Sequence, residues 1–169
     1  MSFPESTEYP VYFQTYIKLV KEPDLIKAME EQRQSFPSFF KNIPAEKLDY
    51  RYEENKWTIK EIIGHLIDCE RVMNYRAMCF ARNDKTELPG FDENKYAAIS
   101  GSSDRSIESL LAEFDALRQS SIHLFESFNE QMFKRTGSAN GNIISVKALG
   151  FINVGHPMHH LNVISERYL

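Results

Sequence analysis

The fold is set by one stretch of the chain, Trp57-Thr58-Ile59-Lys60-Glu61-Ile62-Ile63-Gly64-His65-Leu66-Ile67. Thr58, followed three positions later by Glu61, forms the capping-box pattern, which begins a helix by giving two free backbone N–H groups an acceptor. Apolar residues then recur every three or four positions as far as Phe80, which is the spacing of one buried helix face. The pattern predicts a helix from Thr58 to about Arg82, and a helix of roughly 24 residues is typical of bundles.

Upstream of this helix, the sequence predicts an aromatic arm and another long helix. Residues 1–22 are rich in Phe and Tyr and are expected to contain a short helix near 10–20. Because aromatic side chains are large and apolar, we expect the arm to pack on the bundle or on a second subunit. Pro23-Asp24 then predicts a helix start, with a kink at Pro37 and an end at Asn42-Ile43-Pro44.

Downstream, two more long helices are predicted. Ser106 is the expected N-cap of a helix whose apolar residues alternate at three and four positions as far as Phe128. The last helix is expected to run from Ile143 almost to Leu169 and to bend at Pro157, which lacks a backbone N–H.

The remaining segments are predicted to connect the helices. Residues 83–105 form the longest, with Pro-Gly and Ser-Gly turn signals and a short helix around 93–99. Residues 134–142 read as a loop, and no segment shows the alternation of a strand. Four long helices with short extras predict an all-α four-helix bundle, and the length of 169 residues predicts one domain, 1–169.

Composition narrows the classes of function. The net charge is −4 and no basic run appears, which argues against a nucleic-acid or anionic-membrane partner. No signal peptide or membrane-length apolar run is present, so the expected location is the cytoplasm. Cys69 and Cys79 lie ten positions apart, about 15 Å along a helix, which is too far for a disulfide. We expect both to be reduced, buried thiols.

Three of the five histidines lie in the short segment His156-Pro157-Met158-His159-His160. His156 and His160 are four residues apart, so they share a helix face and can offer two nitrogen ligands to one metal ion. His156 continues the apolar stripe of Leu149 and Ile152, which predicts that its ring faces inward and needs a partner. The alternative is an ordinary packed or surface pair without a metal.

A third ligand candidate lies on the helix that begins at Thr58. His65 sits on the flank of its apolar stripe, although a lone histidine there also fits a core or boundary position. Facing helices of a bundle bring distant residues together, so His65 with the later pair predicts a site of three nitrogens. Three protein ligands with open positions are typical of catalytic metal sites, and neutral nitrogens suit Zn, Ni or Fe(II). His123 lies off the apolar seam and is expected at the surface.

Several other residues are candidates for supporting roles. Asp68 and Glu166 are possible bases or hydrogen-bond acceptors behind the metal ligands, and both also fit the surface. His159 competes with His160 as a ligand, because three-residue spacing also places two side chains on one face. A substrate pocket is expected to include three residues that also fit boundary packing: Trp57, Tyr75 and Arg76.

Four segments of the chain carry a family resemblance: Trp57 to Arg71, Leu88-Pro89-Gly90-Phe91-Asp92, Ala116-Leu117-Arg118 and Gly155 to His160. They resemble the DinB-like four-helix proteins, in particular the branch that includes the bacillithiol transferases. The resemblance covers about residues 10 to 169 and implies a bundle of up-down-down-up order, with 83–105 as the long crossover. It also implies that His65, His156 and His160 are metal ligands and that the protein is a homodimer.

Three functions follow as hypotheses. The first is a metal-dependent transferase in which a low-molecular-weight thiol such as bacillithiol, activated at the metal, attacks an electrophilic co-substrate. The second is a metal-dependent hydrolase, in which the open position holds water and Asp68 is the nearest candidate base. The third is a stress-linked metal-binding protein without catalytic activity.

Overall fold

A computed structural model describes residues 2–169. Short 3₁₀ turns occupy Val11–Phe13 and Ser102–Asp104. None of the helices in the described part of the chain is long and apolar enough to cross a membrane. The elements are α1 (Gln14–Ile17), α2 (Leu25–Phe40), α3 (Ala45–Leu48), α4 (Ile59–Ala81), α5 (Glu93–Ile99), α6 (Ile107–Glu126), α7 (Glu130–Phe133), β1 (Thr136–Ala139), β2 (Asn142–Ser145) and α8 (Val146–Arg167).

The long helices α2, α4, α6 and α8 form the bundle. Helices α4 and α8 are antiparallel neighbours, since the Tyr168 hydroxyl just after α8 donates to the carbonyl of Trp57 just before α4. Further along, Asn153 of α8 donates to Asn74 of α4 at 2.9 Å. Helices α4 and α6 are parallel, because the side chain of Asn74 also donates to Ser121 while Arg71 binds Glu113.

Helix α2 completes the order of the bundle. Its Gln32 side chain donates to the carbonyl of Val154 on α8 and accepts from Arg118 on α6. Arg33 binds Asp115 on α6, so α2 and α6 run antiparallel. The order is therefore up-down-down-up, as expected, with residues 83–105 crossing between the parallel helices α4 and α6.

Local signals located the starts of α4 and α6 correctly. The Thr58 side chain accepts from the N–H of Glu61, and the Glu61 carboxylate accepts from the N–H of Thr58, which completes the capping box. Ser106 caps α6 as expected. Helix α2 begins at Leu25, just after the predicted start at Pro23-Asp24, because the Asp24 side chain accepts from the N–H of Lys27 and caps the helix. The predicted apolar face of α4 is buried throughout, with Ile59, Ile62, Ile63, Leu66, Ile67, Met73, Ala77 and Phe80 each at most 9% exposed.

The interpretation of residues 134–142 as a loop is wrong. Strands β1 and β2 pair antiparallel across Asn140-Gly141, and both turn residues have positive φ, at 51° and 71°. An Asn-Gly pair is favoured where both turn residues need positive φ, so the sequence contained the hairpin signal. Helix α8 consequently begins at Val146 rather than Ile143, because Ser145 caps it by accepting from the N–H of Ala148.

A layer of buried polar side chains divides the apolar core of the bundle. Its centre is Arg118, which is fully buried and binds both carboxylate oxygens of Glu70 at 2.8 Å. One apolar cluster includes Met29 and Phe125 and extends over the hairpin. The other includes Phe114 and lies toward the opposite end of the bundle. The histidines of α8 follow in sequence directly after this layer.

Pro157 accounts for one hydrogen bond of this buried polar layer. Its missing N–H leaves the carbonyl of Asn153, four residues earlier, without the usual helical donor. A guanidinium N–H of Arg118 donates to that carbonyl at 2.8 Å. Helix α8 continues through Pro157 to Arg167. A side chain from a neighbouring helix therefore satisfies the position that the proline leaves open.

The N-terminal arm packs on its own bundle, which was one of the two expected outcomes. Phe13 and Ile17 are buried in the same cluster as Phe151 and Ile152 of α8. At Gly155 an added Cβ would lie 2.2 Å from the carbonyl oxygen of Tyr16, so this close approach requires glycine. The arm consequently brings Tyr16 against the histidine segment.

Candidate metal centre

The three histidines expected to act together meet in one cluster. The Nε2 atoms of His65 and His156 lie 3.2 Å apart, and those of His156 and His160 lie 3.0 Å apart. The antiparallel contact of α4 with α8 brings His65 to the pair, and the four-residue spacing within α8 places His156 and His160 one turn apart. The structure thus brings together residues that are 91 positions apart in sequence.

Aromatic side chains hold these rings in place. The ring of Trp57 lies 4.5 Å from that of His65 and 6.3 Å from that of His160, measured between centroids. On the other side, the Tyr16 ring lies 5.0 Å from the His156 ring. The helix start at Thr58 and the N-terminal arm therefore supply the two walls of the cluster.

All three imidazoles are neutral at pH 7. Burial lowers the pKa of His65 to about 4. Burial, with the proximity of the other histidines, lowers the pKa of His160 to about 3 and that of His156 well below 6.5. Neutral imidazoles carry a lone pair on one ring nitrogen, which is the form that binds a metal.

The spacing of the His156 nitrogen from the nitrogens of His65 and of His160 fits a transition metal. With metal–nitrogen bonds of about 2.0–2.1 Å, two ligands of a tetrahedral site lie about 3.3 Å apart. The separations of 3.2 Å (His65–His156) and 3.0 Å (His156–His160) are close to this value. Three neutral nitrogen donors also match the preference of Zn, Ni and Fe(II) rather than of Mg or Ca.

One feature usual in histidine metal sites is missing from His160. Its Nδ1 atom is buried and has no hydrogen-bond partner among residues 2–169. Metal-binding histidines usually donate this second N–H to a carboxylate, a carbonyl or water, which fixes the ring. The orientation of His160 therefore depends on ring packing, with the His65 and His159 rings at 5.1 and 5.3 Å.

Cys69 is a further donor near the cluster. Donor atoms of His65, Cys69 and His156 all lie within 4.8 Å of one another. However, the Cys69 sulfur is 3.6 Å from both ring nitrogens of His65, so it does not lie along the direction of the Nε2 lone pair. A ligand that shared a metal with Nε2 would be nearer to Nε2 than to Nδ1. In this position Cys69 packs on His65, in agreement with the expected buried, reduced thiol; Cys79 is also free and buried.

The histidines line a cavity of about 310 Å³. It lies between the N-terminal arm, α4, α8, the hairpin and the segment around Phe91. Its wall combines aromatic and sulfur-containing side chains with a few polar groups, among them Arg76, Glu93, Asn94, Asn140 and Asn142. A second cavity of about 320 Å³ lies beyond Trp57 and His160, toward Tyr168.

The structure places two of the three expected pocket residues in the cavity wall. Trp57 and Arg76 line the cavity with the histidines. Tyr75 does not: it is 54% exposed and lines a separate surface hollow beside Tyr96. His159 lines the cavity, where its ring lies 5.2 Å from that of Tyr16. His123 is exposed beside Glu126, as expected.

The expected carboxylates lie elsewhere. Asp68 is half-buried near Arg71, with 3.7 Å between the charged atoms, and burial raises its pKa; it does not line the cavity. Glu166 is exposed and also lies outside the cavity. The carboxylate that lines it is Glu93, in the first turn of α5. Sequence reasoning missed Glu93 because only the folding of the 83–105 crossover brings it to the cavity.

Comparisons with known proteins found a similar protein sequence and a similar structure. A protein of Geobacillus thermodenitrificans strain NG80-2, named as a candidate metal-dependent hydrolase, is 24% identical over 165 residues, covering 95% of this chain and 93% of that protein. The structure of YfiT from Bacillus subtilis, described as "a probable metal-dependent hydrolase with an unusual four-helix bundle topology", matches with a TM-score of 0.73. That match, at 22% identity, covers 84% of this chain and 82% of YfiT, and it concerns the fold.

The family assignment rests on a match to a family model. Residues 28–164 match the model of the DinB superfamily. This range contains most of α2 and α8, all of α4 and α6, and the three histidines of the cluster. The chain belongs to the DinB superfamily.

Proposed function

We propose that the protein is a metal-dependent enzyme in which His65, His156 and His160 bind one divalent transition metal. The observation that carries this proposal is the convergence of three neutral Nε2 atoms, 3.0 and 3.2 Å apart, in the wall of a 310 Å³ cavity. A bound metal would lower the pKa of a coordinated thiol or water and so supply a nucleophile at neutral pH. Three protein ligands leave a position free for that molecule.

We propose a low-molecular-weight thiol of the bacillithiol type as the nucleophile. The cavity has room for organic molecules rather than water alone, and Phe13, Met73 and Phe91 supply apolar contacts. The thiol sulfur would form a bond to an electrophilic carbon, and the leaving group would depart with its bonding electron pair. The thiol proton would pass to solvent. Trp57 and Tyr16 would hold the histidine rings during this exchange.

Hydrolysis is the second candidate, and Glu93 favours it. A carboxylate in the cavity wall can accept the proton of an attacking water, a role that Asp68 cannot fill from outside the cavity. The relatives described above are named for this activity. Hydrolysis and thiol transfer would use the same three histidines and the same cavity, so an assay must separate them.

The experiment compares two reactions of the protein loaded with Zn, Ni or Fe(II). Transfer is measured with a thiol and 1-chloro-2,4-dinitrobenzene, and hydrolysis with 4-nitrophenyl acetate in the absence of thiol. The matched controls are His65→Ala in the cluster and His123→Ala at the surface. Thiol-dependent product formed by the wild type and by His123→Ala, but not by His65→Ala, supports the transferase.

Other results have equally clear meanings. Ester hydrolysis without a thiol requirement, also lost in His65→Ala, replaces the transferase by the hydrolase. Metal binding with neither reaction above the His65→Ala control contradicts both and favours a non-catalytic metal-binding protein. Failure to bind any of the three metals contradicts the proposal as a whole.

We also propose that the protein forms a homodimer and that it is located in the cytoplasm. A homodimer would have twice the 19.7 kDa mass of one chain in solution, which light scattering on a size-exclusion column measures. A single mass of 19.7 kDa across a range of concentrations would contradict the dimer. The cytoplasmic location is tested by fractionation of the source cells.

A further inference from the structure

Two arginines are buried in this protein, and they differ in their partners. Arg118 is 0% exposed and Arg76 is 8% exposed. The guanidinium of Arg118 binds both oxygens of Glu70 and also donates to Gln32 and Asn153. Arg118 is therefore a structural residue with a carboxylate counter-ion and nearly complete hydrogen bonding.

Arg76 has far fewer partners. One guanidinium N–H donates to the carbonyl of Pro89 at 2.8 Å, and another faces the Met73 sulfur at 3.9 Å. No carboxylate of residues 2–169 lies within 4.0 Å of its charged nitrogens. Glu93 lines the same cavity but does not reach this distance. A guanidinium has five N–H donors, so most of its capacity is unused.

An unpaired buried charge is costly and needs an explanation. Burial lowers the pKa of Arg76, yet a guanidinium stays charged at any physiological pH. Burying this charge therefore destabilises the folded protein unless an anion binds beside it. Because the side chain lines the cavity, that anion can be a bound ligand.

The position of Arg76 relates it to the histidines. It follows His65 by 11 residues on α4, which is three helical turns and about 16 Å along the helix axis. Cys69 and Met73 line the cavity between the two positions. A substrate that reacts at the histidines and extends along α4 would reach the guanidinium with its far end.

We propose that the substrate carries an oxyanion, a carboxylate or a phosphate, at the end opposite to its reacting group, and that Arg76 binds this oxyanion. The planar fork of a guanidinium matches both groups through two parallel hydrogen bonds. The inference deepens the proposed function, and it rests on that function for the identification of the histidines as the reacting end. It makes Arg76 a residue that determines substrate class.

The test uses metal-free full-length protein, so that the probe cannot bind to the metal. Succinate and inorganic phosphate are titrated by calorimetry at constant ionic strength, with uncharged succinamide as the control ligand. Arg76→Met removes the charge and keeps much of the volume, and Arg76→Lys keeps the charge without the fork. Arg82→Met is the matched control, because Arg82 is exposed at the end of the same helix.

The wild type and Arg82→Met are expected to bind succinate or phosphate but not succinamide. Arg76→Met should bind at least about tenfold more weakly, since a hydrogen-bonded charge is lost, and Arg76→Lys should lie between the two. The preferred probe distinguishes a carboxylate from a phosphate substrate. Equal affinity in Arg76→Met, or no anion binding by the wild type, overturns the inference.

Metal content, measured on the same variants, separates this inference from the proposed function. Arg76→Met should retain the metal content of the wild type, which also shows that it is folded. Metal binding together with Arg76-independent anion binding contradicts only the inference. Arg76-dependent anion binding in a protein that takes up no metal contradicts the proposed function and leaves the anion site standing.

Discussion

The Nε2 atoms of His65 and His156 lie 3.2 Å apart across the antiparallel contact of α4 and α8. Neither helix forms this contact by local interactions alone, because 90 residues of chain separate the two side chains. In the folded protein they share one end of a cavity with His160. A metal site with three nitrogen ligands would therefore require all three histidines.

The first prediction concerns metal content. Loaded wild-type protein is expected to carry one equivalent of a divalent transition metal, and His156→Ala to carry none, because His156 is the nitrogen that lies within 3.2 Å of both others. His159→Ala should keep the metal, since His159 contacts the cluster only through ring packing. Elemental mass spectrometry of untagged protein measures both. Retention of metal by His156→Ala would show that His156 is not a required ligand.

A second prediction separates Cys69 from the ligands. Cobalt(II) loaded in place of the native metal should show no thiolate-to-cobalt charge-transfer absorption, because the sulfur faces the His65 ring rather than its Nε2 lone pair. Cys69→Ser should bind cobalt with the same stoichiometry and spectrum as the wild type. An intense near-ultraviolet band present in the wild type and lost in Cys69→Ser would establish Cys69 as a fourth ligand.

The base of a hydrolytic reaction is the subject of the third prediction. Glu93→Gln is expected to lower kcat for hydrolysis by about 100-fold or more, the usual effect of losing a general base. Asp68→Asn should leave kcat unchanged, because Asp68 does not line the cavity. Steady-state kinetics of both variants, each carrying as much metal as the wild type, test this prediction. The reverse pattern would restore Asp68 to the role that the sequence indicated.

Acidification should destabilise the metal-free protein. In the unfolded chain a histidine has a pKa of about 6.5, whereas burial lowers the pKa of His65 to about 4 in the folded protein. Between these values the unfolded chain binds more protons, so the free energy of unfolding falls as pH falls from 6.5 toward 4. Each such histidine contributes a slope of up to about 1.4 kcal/mol per pH unit.

Urea unfolding at several pH values tests this slope. His65→Asn should reduce the loss of stability between pH 6.5 and 4, whereas His123→Asn, at an exposed position, should not. The difference between each variant and the wild type removes the contribution of carboxylates that titrate in the same range. Equal slopes in the wild type and in His65→Asn would show that His65 is not held neutral by burial.

The buried ion pair yields a prediction about stability. Glu70→Gln leaves the fully buried guanidinium of Arg118 without a counter-ion, which should cost about 3–5 kcal/mol in the free energy of unfolding. Glu113→Gln removes a partly exposed partner of Arg71 and Arg105, and should cost about 1 kcal/mol or less. Urea denaturation of the two variants measures the contrast. Similar costs would mean that the buried pair contributes no more than a surface pair.

Local patterns were sufficient for most of the helical framework. The capping box at Thr58 and Glu61, the cap at Ser106, and the apolar face of α4 predicted two helix starts and the buried side of α4 correctly. These features depend on hydrogen bonds and spacing within a few residues, so they can be read without tertiary structure. The up-down-down-up order followed from family resemblance rather than from any local pattern.

Contacts between elements decided the features that sequence reasoning missed. Glu93 and Asp68 are both carboxylates near turn or helix signals, yet only the path of the crossover brings Glu93 to the cavity. The hairpin is a different case, because Asn140-Gly141 is a local signal that the weak strand pattern around it concealed.

The sequence by itself determined where α4 and α6 begin, which face of α4 is apolar, and that His156 and His160 share one face. Tertiary structure alone decided which groups each buried polar side chain contacts. Arg118 and Arg76 show this difference: both are buried, but Glu70 neutralises the first and no carboxylate in the described chain reaches the second. The reason is physical, since a helix start depends on neighbouring backbone groups, whereas the partner of a buried charge lies on another helix.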